Sequence, residues 1–507
     1  MLSQIITTSN KLINKFILII LCLTPSIIHT ETNKETSSVN SSAIYQSCYC
    51  DFCDEIRQTS SIKTHKAKIE SCKTKSRPKA KKQNKPTKSG QQKRTIMIYM
   101  AADNDLRPFA ARNIQQMANV GSNQNITIVV HLDIRISGNK KITRRYLIEK
   151  DQVLHIDPYN PLTQQMDSGN PSTLISFCEW AIKSYPADEY DLILWNHGTG
   201  ILEPPHGKII NPMDLFVFNP STHRLDLDRS IGFMDAIDHL NPRQRGVCWD
   251  DTTGNYLSNR KMEAALQTIC QKFLDGKKFG IIGFDACLMS MIEVSSFIKK
   301  YAHVMVSSEE VELGMGWKYD EVLFPFVKDR LDTFTFARHI VAAYDRTYQS
   351  ITNDYTLSAI NLDSIVLLER NVDQVSKILL EGLEKQKNIF APLIKESRNK
   401  LLCTHFDEPT YIDLHHFYKN LLNNTKKVAA SNTQINSLIK NNLLIKLDEG
   451  LQLIEQLVIA NTAGRNLKNA QGISIYFPER GIHSSYQEAA FLTSNAWGAL
   501  LSRYIFG

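Results

Sequence analysis

Two stretches of the chain end an apolar run on a residue able to do chemistry. "LILWNHGTG" (192–200) passes from a block of apolar residues into Asn196, His197 and Gly198, and "IIGFDACLMS" (281–290) reaches Cys287 just after Asp285. A thiol attacks a carbonyl as thiolate, and it needs a base or proton donor beside it and N–H groups aimed at the developing oxyanion. His197 and Cys287 supply the residue types, and Gly198 leaves the backbone open to close approach because no side chain intrudes. A helical pattern that starts at residue 288 would put Cys287 at a helix N-terminus, where the dipole favours thiolate. Singly, a histidine at a strand end is more often structural, and a cysteine after a strand is more often a small buried hydrophobe. The pairing is what points to chemistry.

The surrounding pattern explains how such residues could meet. "TIMIYMAAD" (95–103) reads as a buried strand, "LRPFAARNIQQMANVG" (106–121) as an amphipathic helix stopped by Gly121, and "NITIVVHLD" (125–133) as the next strand. A hairpin over 144–157, a helix over 172–186, a strand over 190–198, a helix over 260–274, a strand over 278–287, a helix over 288–301 and a strand over 302–310 follow. Alternation of this kind predicts an α/β fold: a mostly parallel sheet flanked by helices on both faces. Ligands of such sheets bind beyond the carboxyl ends of the strands, where both residues fall. Beyond about Asp332 the pattern turns helical, through 336–348 and 447–462, interrupted by strand-like "TLSAINL" (356–362) and "GISIYFP" (472–478). The expected division is a catalytic region over 95–331 and a mainly helical region over 332–507 that contributes strands.

An apolar block ending in His-Gly followed by one ending in Ala-Cys resembles the caspase-like superfamily of cysteine peptidases. The closer resemblance is to the clostripain family, carried by "TIMIYMAADNDL" (95–106), "LILWNHGTG", "CWDDTTGNYLS" (248–258), "GFDACLMSMIEV" (283–294), "SSEEVELGMGWKYD" (307–320) and "GISIYFP", in the family's order. The resemblance implies a catalytic dyad of His197 and Cys287, with the N–H groups of Gly198 and Cys287 as oxyanion donors. It also implies cleavage after basic residues. Asp285 offers a physical reason: in an extended segment its side chain leaves on the same face as Cys287, and a carboxylate there suits Arg or Lys, Arg through two hydrogen bonds. Glu309 and Glu310 could line the same pocket.

Members of that family are often matured by cutting their own chain between the two motifs. Here 90 residues separate His197 from Cys287, and 203–247 reads as an exposed loop. "NPRQRGVCWDD" places Arg243 and Arg245 before a matching motif as candidate cleavage points, and "QQKRT" offers Lys93 or Arg94 at the end of the preceding tail. The acids of "WDDTTGN" (249–255) are hard oxygen donors of the kind calcium prefers, but they lack a full loop signature. The expected chemistry requires no cofactor, and calcium is left unassigned.

The first 30 residues have the layout of a signal peptide: Lys11 and Lys15, then the eight apolar residues Phe16 to Leu23. That run is well short of the roughly 20 residues that cross a bilayer, so export, to the medium or the cell envelope, is expected rather than a stable membrane span. Residues 31–94 lose all apolar periodicity and read as a basic linker or pro-segment. The first 94 residues hold 17 Lys and Arg against six acids, while the whole chain is +7; the body is therefore net −4. A basic tail could touch anionic polymers, and a non-catalytic surface-binding protein on the same fold is the alternative reading. Specific nucleic-acid binding is not expected; peptide substrates with basic residues and a monomeric chain are. Ten cysteines form no disulfide framework, and the body's five, Cys178, Cys248, Cys270, Cys287 and Cys403, are an odd set.

Overall fold

The computed structural model describes residues 93–137, 140–156, 165–203, 215–229, 246–431 and 435–507. The signal segment, the basic tail before Lys93, and both Arg243 and Arg245 lie outside the described residues. Gln92–Gly507 is one compact unit, and no division falls near residue 331.

Its strands are β1 (Arg94–Ala102), β2 (Ile126–Ser137), β3 (Lys140–Glu149), β4 (Gln152–His155), β5 (Glu189–Trp195), β6 (Phe216–Asn219), β7 (Arg224–Leu227), β8 (Val247–Asp250), β9 (Asn255–Leu257), β10 (Phe279–Asp285), β11 (Ala302–Ser307), β12 (Thr356–Asn361), β13 (Tyr411–Asp413), β14 (Val458–Ala463) and β15 (Ser474–Tyr476). Nine form the main sheet, in the order β14-β12-β11-β10-β5-β1-β2-β3-β4. The five central strands, β11 to β2, pair in parallel, and both margins are antiparallel. Every residue of β1 and β10 is buried, which is why both read as unbroken apolar runs rather than alternating ones.

Strands from beyond residue 331 therefore complete the main sheet. The pattern over 447–462 misleads in part: the helix Ser437–Leu457 stops, and "VIANTA", with its β-branched residues, continues as β14. "GISIYFP" does not join the main sheet; β15 pairs with β13 in a separate ribbon.

The expectation that Cys287 opens a helix is corrected. The helix runs only over Ile292–Ile298, because residues 288–291 are committed to neighbouring chain: the N–H of Leu288 bonds the carbonyl of Glu310 at 3.2 Å, and that of Ser290 bonds Ser308 at 2.8 Å. Leu288 itself has φ +62°. The 203–247 stretch is also not simply an exposed loop. Within it β6 and β7 form a hairpin whose Phe216, Leu225 and Leu227 are buried, and whose Leu225 N–H bonds Ile351 O at 2.7 Å.

Candidate active site

β5 and β10 are parallel neighbours with Trp195 opposite Asp285, so the loops leaving them emerge side by side at the carboxyl edge. The N–H of Asn196 donates to Asp285 O at 3.2 Å. The Asn196 side chain then fastens three segments together, donating to Ala101 O at 2.6 Å and accepting from the Trp249 N–H at 3.0 Å. One pocket at this edge is lined by His197, Asp285, Cys287 and Glu312, with Leu106, Leu215 and Gly316 among its walls. The distant motifs thus deliver imidazole and thiol to one cavity.

Each side chain has defined surroundings. His197 Nε2 lies 2.7 Å from Asp105 Oδ1, and its ring packs against Trp249 at 5.3 Å between centroids. Further along the same loop, Tyr411 donates its hydroxyl to Thr199 O at 2.7 Å and accepts from the Leu202 N–H at 3.0 Å. Gly198 is pressed against the loop of Cys287: a Cβ there would stand 2.4 Å from the Cys287 carbonyl, so no other residue fits. Cys287 is buried, and burial pushes its thiol well above the usual range. The Glu312 N–H, 3.2 Å from Sγ, works the other way by donating to it. That amide takes over the part expected of a helix terminus.

Asp285 sits where the alternation of a strand places it, in the pocket beside Cys287. One oxygen accepts from the Trp317 N–H at 3.0 Å and the other from the Tyr319 hydroxyl at 2.9 Å. Gly316, at φ +59°, passes so close that a Cβ would meet the carboxylate at 2.6 Å. Burial raises Asp285 to about 7, and it raises Glu312 well above the ordinary carboxylate range, with the Asp285 charge adding to the effect. No cationic side chain among the described residues pairs with either.

Glu309 and Glu310, expected as further lining, point elsewhere. Glu309 accepts from the Gly472 N–H at 2.9 Å, and Glu310 accepts from Asp407 N–H at 2.9 Å and pairs with Arg229 at 2.9 Å. The pocket residue is Glu312, two positions on, because the chain turns after β11 instead of continuing as an extended strand. Arg94 is likewise corrected as a cleavage point. It opens β1 with a buried guanidinium held by Asp191 at 2.6 Å, by Glu189 and by Thr333 at 3.2 Å, so the bond after it lies inside the central sheet.

A second acidic group stands at the same edge. Asp103, Asp133 and Asp250 surround the Lys141 ammonium, with Asp133 at 3.1 Å, Asp103 at 3.9 Å and Asp250 in direct contact. Asp251 pairs with Arg135 at 2.8 Å. Burial works to lower Lys141, but Asp133 and Asp250 hold it above its ordinary value. These acids of "WDDTTGN" hold an ammonium and a guanidinium. No group of three or more His, Cys, Asp or Glu among the described residues is arranged for a metal ion. The five cysteines of the body are all free and buried.

A model of the clostripain family matches residues 98–208 and 234–501. Clostripain of Hathewaya histolytica is 27% identical over 263 residues, 47% of this chain and 43% of that protein, so the match spans less than half of the relative's length. Among solved structures, a secreted C11 cysteine protease of Bacteroides thetaiotaomicron, in complex with an irreversible peptide inhibitor, superposes with a TM-score of 0.50 at 17% identity, covering 80% of this chain and 99% of that one. An inactive zymogen C11 protease of Parabacteroides distasonis gives a TM-score of 0.50 at 16% identity, covering 82% and 99%. The structural likenesses carry the fold, and the family match spans both His197 and Cys287: the chain belongs to the clostripain family.

Proposed function

We propose that this chain is an exported cysteine endopeptidase that cuts after Arg or Lys and is matured by a cut of its own after Arg243 or Arg245. The observation that carries the specificity is the pair Asp285 and Glu312, two buried carboxylates in the pocket of Cys287 with no resident cation among the described residues. Buried acids are costly unless paired, and a guanidinium or ammonium entering with the substrate supplies the missing partner. Their raised affinity for protons fits a site that exchanges a proton for the cation of an entering substrate.

The reaction follows from the placement of the dyad. Cys287 Sγ gives its proton to His197 and attacks the substrate carbonyl; the imidazolium then protonates the leaving amine as the C–N bond breaks, leaving a thioester. His197 next takes a proton from water, which attacks the thioester and returns the thiol. In this role the N–H groups of Gly198 and Cys287 would receive the oxyanion.

Maturation is supported by the closed state of the pocket. His197, Asp285, Cys287 and Glu312 are each only 5–6% exposed, and Leu215 of the 203–247 insertion forms part of the wall. Processing near Arg243 or Arg245 would loosen that insertion. Export is in keeping with the secreted B. thetaiotaomicron relative, and no helix among the described residues is long and apolar enough to cross a membrane.

The test is hydrolysis of fluorogenic peptides bearing Arg, Lys, Asn or Asp before the cut bond, by the wild-type chain and by Cys287→Ala, with chain masses recorded for both. Turnover after Arg or Lys, and an internal cut, are expected in the wild type alone. Turnover only after Asn or Asp overturns the assigned pocket. The absence of Cys287-dependent turnover overturns the peptidase and leaves a binding protein.

A further inference from the structure

The loop after β1 brings a third side chain to the dyad that the sequence reading does not assign. Asp105 stands three residues beyond β1, and β1 flanks β5 on the side opposite β10. The histidine strand is therefore bracketed, with the thiol arriving from one neighbour and a carboxylate from the other. The loop is pinned by Asn104, whose side chain donates to Ala101 O and Trp249 O, each at 3.0 Å, and accepts from the Leu106 N–H at 3.0 Å. Asp105 Oδ1 meets His197 Nε2 at 2.7 Å, the length of a charge-assisted bond, with the Asp105 side chain 16% exposed and that of His197 6%. The other carboxylate oxygen, Oδ2, is buried with no hydrogen-bond partner among the described residues, so the carboxylate is directed at the imidazole alone.

We propose that Asp105 is a positioning residue for catalysis: its carboxylate binds Nε2–H of His197, fixes the tautomer and ring orientation, and assigns the proton exchange with Cys287 to Nδ1. Trp249, packed on the ring, prevents it from turning away. The proton leaves Sγ for Nδ1, Nε2 keeps its own proton on the bond to Asp105, and Nδ1–H passes to the leaving amine as the C–N bond breaks. A carboxylate in this place stabilises the imidazolium without taking up a proton itself. The other ionisable groups facing the site are Cys287, Asp285 and Glu312 in the pocket, and Asp251 with its partner Arg135 beside Asp105.

The inference rests on the peptidase reading, and the experiment separates the two. Asp105→Ala and Asp105→Asn would be compared with wild type in the full chain, with folding checked by circular dichroism. Turnover of an Arg peptide should fall about 10²-fold in kcat with KM nearly unchanged, and the basic limb of the kcat/KM profile should move about one pH unit lower. Alkylation of Cys287 by iodoacetamide at pH 7, followed on its own peptide by mass spectrometry, should slow about tenfold and requires no turnover. If one variant fails to fold, the other carries the test. Unchanged kcat and alkylation, or a rise in KM alone, overturns the proposal. Slowed alkylation in a chain whose wild type hydrolyses nothing retains Asp105 as the partner of His197 and removes the peptidase.

Discussion

Two groups of buried acids share one edge of the sheet and differ in whether the described chain supplies them with a cation. Around Asp103, Asp133 and Asp250 the chain supplies its own cation, Lys141. Lys141 holds Asp250 below its ordinary value against burial, while burial still raises Asp133 to about 7 and lifts Asp103. Around Asp285 and Glu312 the described chain supplies only hydrogen-bond donors, and both acids are pushed upward. A closed set of charges joins β2, β3 and the end of β8 into a scaffold. An open set stores a demand for positive charge, and the place where that demand faces a cavity is where a ligand should go.

The contrast can be broken from either side. Replacing Asp285 with Asn keeps its shape and removes the charge, and should lower kcat/KM for Arg peptides about 10³-fold while leaving the thermal midpoint unchanged or higher. Replacing Lys141 with Met should do the opposite, costing about 3 kcal/mol of stability in chemical denaturation because it strands buried carboxylates. Glu312→Gln should cost only about tenfold in kcat/KM, since burial and the neighbouring Asp285 already disfavour its ionised form. An equal loss of stability from the Asp285 and Lys141 changes would erase the distinction.

The smallest effect is the pH dependence. Asp285, raised to about 7 in the folded chain, binds a proton more readily there than when unfolded. Its contribution to stability is therefore complete below the ordinary carboxylate range and is lost as pH rises through about 7. Ionised Asp285 is the form that holds a cation, so KM for Arg peptides should rise severalfold as pH falls below 7. Asp285→Asn should flatten both trends, in denaturation and in steady-state kinetics.

How much of this was legible in the sequence depends on how far each residue stands from its own strand. His197, Cys287 and Asp285 lie within two residues of a buried apolar run, so the run that announces the strand also places them. Glu312 and Asp105 lie farther out, on loops whose course is set by contacts with other segments: Cys287 Sγ for one, Ala101 and Trp249 for the other. No local pattern encodes those contacts. Glu309 and Glu310 read as the end of a strand, but that strand stops at Ser307 and the chain has already turned. The helix after Cys287 starts later than the apolar pattern implies because the N–H groups of Leu288 and Ser290 bond Glu310 and Ser308 instead of coiling.

The hydroxyl of Tyr411 grips Thr199 and Leu202, on the loop that carries the imidazole, from more than two hundred positions downstream. A protein shortened to end at 331 would keep both reactive side chains yet lose this clasp together with two strands of the sheet. The region past 331 is thus a buttress of the machinery, and the shortest working version of the molecule must include it.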